Sequence, residues 1–293
     1  PRGRAKSEAD LLELDSEEAA EGDLTILGGE TLSWLQGAPP LRLRTTAQVH
    51  FDPLNTPLLD ALPGTVRAGD AVLYPGCGSG LLGLLALRSG AASVHFTDRD
   101  AAAVDLTAGN ARVAGFREGR NWTAQVSDLR SQLTDTPQYD LILANPPQLA
   151  GPPALGEARP DRYAGPEGVD YYAELARLAN TALKPAGRVA LLQTSLSSFA
   201  AVEALFAPRQ PTTLAAQPRS TTAAALEALA PGALSWLLAL RARGASDFEL
   251  RDAAGTVLPP AAQAAGGAGG ACEPNAAERA ASLHFTQRLV AFG

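Results

Sequence analysis

Four short stretches hold residue types that could do chemistry. Gly76-Cys77-Gly78-Ser79-Gly80 follows one apolar run and precedes another rich in leucine. Glycines there reach φ values closed to other residues and let backbone N–H groups approach a ligand where a helix begins. Asp98 ends the next β-prone run, a place from which a carboxylate can accept hydrogen bonds from both hydroxyls of a ribose. Asp128 follows the run after that and can take a donor such as an exocyclic amine. Asn145-Pro146-Pro147-Gln148 follows a fourth run. Its prolines fix φ and remove donors, so the loop offers carbonyl oxygens and the Asn145 side chain in a rigid arc able to hold an N–H2 group. Taken singly, a glycine turn can be merely tight, an acid can cap a helix, and Pro-Pro can stop a strand. Their recurrence at successive strand ends, where open α/β sheets bind ligands, favours a site.

Holding these residues together requires a repeated strand–loop–helix unit. Strands are expected at 71–75, 92–97, 122–127, 139–144 and 188–194, with helices at 81–89, 100–114 and 168–183. Gly90 and Gly115 suit the ends of the first two helices, and Asp100 suits the N-cap of the second. Tyr171, Leu175, Leu178 and Ala182 share one face of the third helix, which Pro185 stops. This alternation predicts a Rossmann-like α/β fold, a seven-stranded, mostly parallel sheet with helices on both faces. Further helices are expected at 198–206 and at 222–243, the latter broken at Pro231-Gly232, with closing strands at 212–220 and 283–292. Residues 1–22 suit an acidic helix or tail, and 23–64 a small β-rich lobe or lid with a hairpin turn at Gly28-Gly29. Residues 65–293 form the main domain, including a mobile Ala/Gly-rich loop at 261–271.

Composition narrows the field. The 293 residues are 46% hydrophobic and 19% charged, which supports a sizeable core and excludes wholesale disorder. A net charge of -7 weighs against non-specific nucleic-acid binding. Cys77 and Cys272 are too few for a disulfide framework, and with His50, His95 and His284 they lack metal-ligand spacing, so no metal site is expected. No apolar run is long enough to span a bilayer and no signal-peptide pattern opens the chain, which points to a soluble, reducing, cytoplasmic setting. A start at Pro1 without any Met fits a processed or trimmed N-terminus. Leu81 breaks the dinucleotide fingerprint G-x-G-x-x-G, the P-loop pattern is missing, and the glycines around Ser79 have the wrong offsets for a hydrolase elbow. Cys77 is expected to be a packed thiol, and the three histidines structural residues.

The run VLYPGCGSG, then Asp98, Asn110-Ala111, Ser127-Asp128 and YDLILANPPQ resembles the class I S-adenosylmethionine-dependent methyltransferases that carry an Asn-Pro-Pro-x motif. The later segment from Gly165 to Tyr172, followed by LKPAGRVALLQ, is most similar to the release-factor glutamine N-methyltransferase (HemK-like) branch. The resemblance spans roughly 65–200. It implies that Gly76, Gly78 and Gly80 line the methionine and ribose end of S-adenosylmethionine, that Asp98 binds its ribose, and that Asp128-Leu129 bind its adenine. Asn145 and the Pro146 carbonyl would hold the target nitrogen, with Pro147 and Gln148 against the substrate. Two positions depart from the family pattern: Tyr74 replaces an acid, and Gln148 replaces a stacking aromatic ring. The implied activity is methyl transfer to a side-chain amide nitrogen of a protein, a glutamine-like acceptor such as one on a translation factor. Two alternatives stay open, an RNA or DNA base-amine methyltransferase and a non-catalytic S-adenosylmethionine-binding module. Arg159 and Arg162 are the basic residues near the Asn145 loop. Tyr163, Tyr171 and Tyr172 flank the substrate side, Tyr172 with core packing as its plainer role.

Overall fold

The computed structural model describes residues 23–27, 32–46, 56–132, 137–159, 161–229, 231–258 and 282–293. The expected features at 1–22, Gly28-Gly29, His50, 261–271 and Cys272 lie outside them. Strands β1 (Asp23–Leu27) and β2 (Leu41–Thr45) form an antiparallel pair. The other elements described in the region expected to be β-rich are helical and not strands: a 3-10 turn at Ser33–Leu35, helix α1 (Thr56–Asp60) and a 3-10 turn at Leu62–Gly64. Pro63 favours that last turn, because a proline early in a helix gives up an N–H that has no helical acceptor.

The central sheet is built from β3 (Ala71–Pro75), β4 (Ser93–Asp98), β5 (Trp122–Val126), β6 (Tyr139–Ala144), β7 (Leu183–Thr194), β8 (Pro211–Thr222) and β11 (Ser282–Phe292). They stand in the order β5-β4-β3-β6-β7-β11-β8, and β11 runs antiparallel to both of its long neighbours. The expected seven strands are therefore present, six in one direction. The sheet nonetheless has nine, because β9 (Glu249–Arg251) and β10 (Val257–Leu258) are added. The cause is a mismatch of lengths. On one edge β11 pairs with β7 only from Gln287 onward, and β9 takes up the open stretch from Ser282 to His284.

The central strands are buried on both faces, and successive side chains alternate between those faces. Val72, Tyr74, Leu141, Leu143 and Ala190 face one side, where α2 (Leu81–Arg88) and α3 (Ala101–Val113) pack. Leu73, Ile142, Ala144, Val189 and Leu191 face the other, against α5 (Asp170–Ala182) and α6 (Phe199–Leu205). Helix α2 is apolar all round and buried from Leu82 to Leu87. Each leucine that it buries contributes about 1.5–3 kcal/mol. Gly83 lets this helix lie close on β4, since a Cβ there would stand 2.2 Å from the Phe96 ring. Helix α5 ends at Ala182 and Pro185 lies inside β7, which starts earlier than its apolar run suggests.

At the opposite end from the strand tips, Arg188 ties β7 to the approach to β3. It donates to the Thr65 carbonyl through Nε (2.9 Å) and Nη2 (2.6 Å) and forms a buried ion pair with Asp70. A third apolar cluster caps the far end of β7 and β11. It joins Leu149, Ala150 and Leu155 to α7 (Ala223–Leu229), α8 (Ala233–Ala242), β9 and β10. Helix α4 (Pro153–Ala158) supplies Leu155.

Candidate active site

Chain order and spatial order part company between β3 and β6. The chain passes outward from β3 to β4 and β5, then returns to β6 on the other side of β3. Such a reversal opens a crevice at the carboxyl ends of the strands, the usual ligand position in open α/β sheets. Register places the expected residues there. Pro75 pairs with Thr97 and Leu73 with Ile142. Continued past the strand ends, these registers set Gly76 between Asp98 on one side and Asn145 on the other.

The turn after β3 is held by backbone and side-chain bonds. The Cys77 N–H donates to the Thr97 carbonyl (3.0 Å) and the Gly80 N–H to the Cys77 carbonyl (2.8 Å). Gly76, Gly78 and Gly80 have φ of 63°, 54° and 83°, the left-handed region. From α3, the Thr107 hydroxyl donates to the Gly78 carbonyl (2.8 Å). The Asn110 amide donates to the Ser79 carbonyl (2.8 Å) and the Arg44 carbonyl (3.0 Å), and its oxygen accepts from the Arg44 N–H (2.7 Å). Asn110 thereby ties β2 to the glycine turn.

Asp98 is oriented by the Gly78 N–H on Oδ2 (3.1 Å) and the Asp100 N–H on Oδ1 (3.0 Å). A carboxylate offers about four lone-pair directions, so capacity remains for further donors. Asp100 is instead the N-cap of α3, accepting from the Ala102 N–H (2.9 Å). Asp128 is exposed beyond β5 and opens the 3-10 turn that begins at Leu129, where its carbonyl accepts from the Ser131 N–H (3.0 Å). Past β6, Asn145 is exposed, Pro146 buried, and Pro147 and Gln148 half-buried. Gln148 Nε2 donates to Asn145 Oδ1 (3.1 Å), and Gln148 Oε1 is buried without a hydrogen-bond partner.

The three tyrosines take separate places. Tyr172 is wholly buried and donates to the Leu192 carbonyl (3.3 Å), so it packs in the core and faces no substrate. Tyr163 forms a bridge with Leu149, beside the Asn145 loop. Tyr171 does not join the buried face of Leu175, Leu178 and Ala182 but leans over the glycine turn. Its hydroxyl lies 2.8 Å from where a Cβ on Gly76 would stand. Burial, then the carboxylate of Asp98, raises its pKa above the ordinary phenol value. The segment before it is anchored by Asp170 N–H to the Ala164 carbonyl (2.9 Å), and by the Trp236 indole N–H to the Pro166 carbonyl (2.7 Å).

The remaining candidates lie off the crevice or are occupied. Burial pushes the Cys77 thiol up to about 12, which suits a packed side chain and not a nucleophile. Tyr74, which departs from the acid of the resembled pattern, is buried against Phe96 with ring centroids 6.2 Å apart. His95 pairs with the Tyr139 hydroxyl (2.6 Å) and His284 with Ser282 (3.1 Å). Asp161 engages Arg159 (2.8 Å) and Arg162 (3.7 Å). Thr107 has no part in the expected site and Asn110 enters only through the resemblance; the signal for both is a polar residue on the buried face of α3.

Residues 47–156 match the family model of the methyltransferase small domain. The match covers well under half of the chain; it supports an S-adenosylmethionine-dependent methyltransferase, with S-adenosylmethionine as cofactor. Among solved structures, the chain is similar to the T. thermophilus 16S rRNA N2 G1207 methyltransferase in complex with AdoMet and guanosine. That likeness has 22% identity and a TM-score of 0.48, and covers 67% of this chain and 48% of that one. TrmN from Thermus thermophilus has 28% identity and a TM-score of 0.39, over 55% of this chain and 43% of that one. A ribosomal protein L11 methylase from Lactobacillus delbrueckii subsp. bulgaricus has 18% identity and a TM-score of 0.41, over 56% of this chain and 71% of that one. No curated protein matches the chain. Among the described residues, no helix is long and apolar enough to cross a membrane.

Proposed function

We propose that the crevice binds S-adenosylmethionine across the tips of β3, β4 and β5, and that the protein methylates the nitrogen of a planar amino group. One observation carries this reading: strand register brings Gly76 between Asp98 and Asn145. Gly76, Gly78 and Gly80 would line the methionine and ribose end, Asp98 would accept the ribose hydroxyls, and Asp128 with Leu129 would meet the adenine. The cradle suits a bound group, because any side chain at Gly76 would fill the space beneath the Tyr171 hydroxyl.

The cofactor supplies a methyl group on a good leaving group, so the protein needs to furnish neither a nucleophile nor a metal. Asn145 Oδ1 and the Pro146 carbonyl accept the two N–H bonds of the target, which turns its nitrogen lone pair toward the crevice. Conjugation leaves such a nitrogen weakly nucleophilic, and fixed acceptors favour the pyramidal, attacking form. Alignment of two bound reactants is worth about 7–11 kcal/mol in favourable cases, and preorganised acceptors add to it. Both a protein carboxamide of the glutamine type and a nucleobase amine fit this description, Pro147 and Gln148 lining the acceptor side.

Calorimetry with S-adenosylmethionine, followed by transfer of labelled methyl to cell extract treated with protease or nuclease, tests the reading. Saturable binding with label in a macromolecule is expected. Absence of binding overturns the proposal, and binding without label leaves a non-catalytic module.

A further inference from the structure

We infer that a groove at the end of the sheet opposite the crevice binds the phosphodiester backbone of a nucleic acid. It is a second site, beyond the methyltransferase reading, and its test needs no methyl transfer. Strands β3, β4 and β5 are parallel neighbours, so the segments that enter them lie together at their amino ends. Those segments carry Arg67 before β3, Arg88 before β4, and Arg112, Arg117 and Arg120 before β5. The groove, of about 460 Å³, is lined by Arg88 at the end of α2, residues 113–115 where α3 ends, and Pro39, Pro40 and Arg42 around the start of β2. It is open to solvent, with Arg42 exposed and Arg88 half-buried.

These charges lack partners. Among the described residues, Arg42, Arg67, Arg88, Arg117 and Arg120 take part in no ion pair, in a chain whose net charge is -7. At the same end, Glu118 engages Arg112 (2.8 Å) and Asp70 is buried against Arg188. A cation at the end of a helix ordinarily meets its last carbonyls. At the end of α2 that place is taken: the Ser89 N–H donates to the Leu85 carbonyl (2.9 Å), and the Ala91 N–H to the Ala86 carbonyl (3.0 Å). The Arg88 guanidinium lies instead over the Phe116 ring (5.9 Å to its centroid), and its Nε is buried with no hydrogen-bond partner. Arg112 lies over Trp122 in the same way (5.4 Å). Rings fix these guanidinium planes before a ligand arrives, and the planar fork matches two oxygens of one phosphate.

Strand β4 has six residues, which sets this end about 20 Å from the strand tips. Contacts here cannot touch a reacting atom. They hold a partner that carries charge along its length, and a nucleic-acid backbone carries one at every unit. Protein partners are anchored by apolar side chains in pockets, whereas this groove offers arginine, proline, alanine and glycine beside Val113.

The test titrates the full chain into fluorescently labelled duplex RNA, single-stranded RNA and duplex DNA of equal length, read by anisotropy between about 50 mM and about 200 mM salt. Binding to at least one is expected, with a log–log salt slope of about −3 to −5; the one bound most tightly identifies the source of the backbone. Arg42→Gln combined with Arg88→Gln should weaken it at least about tenfold and make the slope shallower by about 2. Arg42→Gln alone, at an exposed position, should give about half of that slope change. Arg177→Gln combined with Arg251→Gln removes the same charge from exposed positions elsewhere and should alter affinity less than about twofold. Urea midpoints confirm that the variants fold. Equal losses in the two double variants, or no binding by the wild type, overturn the groove and leave the methyltransferase reading standing. Polyglutamate held as tightly as nucleic acid, and lost with Arg42 and Arg88, overturns the phosphodiester assignment.

Discussion

The hydroxyl of Tyr171 stands 2.8 Å from the point at which a side chain on Gly76 would begin. Two elements far apart in the chain, the turn after β3 and the first turn of α5, thus share one wall of the crevice. Gly76 also has φ of 63°. Gly76→Ala should lower S-adenosylmethionine affinity at least about tenfold, the left-handed backbone alone being worth about 1–2 kcal/mol. Adding Tyr171→Phe, which removes only the hydroxyl, should restore part of the loss, as read by calorimetry.

Asn145→Ala removes the proposed acceptor for the target nitrogen and none of the residues proposed to hold the cofactor. The expected outcome is a fall in kcat of about 10²–10³-fold, with cofactor affinity changed by no more than about twofold. Single-turnover methyl transfer beside equilibrium binding checks it. Equal losses in both would remove Asn145 from its proposed role.

Cys77 lies inside the glycine turn, yet its buried thiol is pushed up to about 12. Alkylation by iodoacetamide at about pH 8 should spare it in the native protein and reach it after denaturation. Peptide mapping separates it from Cys272.

Burial holds the His95 imidazole below its ordinary value of 6.5. The unfolded chain therefore takes up a proton at a higher pH than the folded one does. Stability from this group is complete above 6.5 and declines as the pH falls toward the folded value. His95→Phe should flatten that limb, seen as a smaller change in urea midpoint between about pH 7.5 and about pH 5.5.

Arg188→Met leaves the Asp70 carboxylate buried without its partner and should destabilise the fold by about 3–5 kcal/mol. Asp70→Leu combined with Arg188→Met should recover much of that. Denaturant unfolding of the three variants decides it, and an additive double variant would show that the pair is not coupled.

Much of the framework was legible because burial in a parallel sheet writes itself into the chain. AVLYP and YDLILA coincide with β3 and β6 residue for residue. Helix α3 announced both ends through Asp100 and Gly115. The β9–β10 hairpin stayed hidden because strands of three and two residues carry no readable alternation. At the site, four strand tips could be inferred from residue type and order. Tyr171 could not be placed, because helical periodicity put it on the apolar face of α5. Its true position depends on how residues 164–170 are anchored, in part by Trp236 some distance along the chain. The amide pair of Asn145 and Gln148 was hidden for the same reason: a contact across a Pro-Pro loop has no period.

Strand β11 follows every other strand among the described residues, yet it is the one that β7, β8 and β9 all grip. During synthesis the segment from β3 to β6, which holds the glycine turn and Asp98, is complete long before β11 emerges. The cap that joins Leu149 to Leu283 must wait for it. On the proposed reading, a nascent chain would own its cofactor half before a finished acceptor side, and chemistry would be withheld until β11 is zipped in.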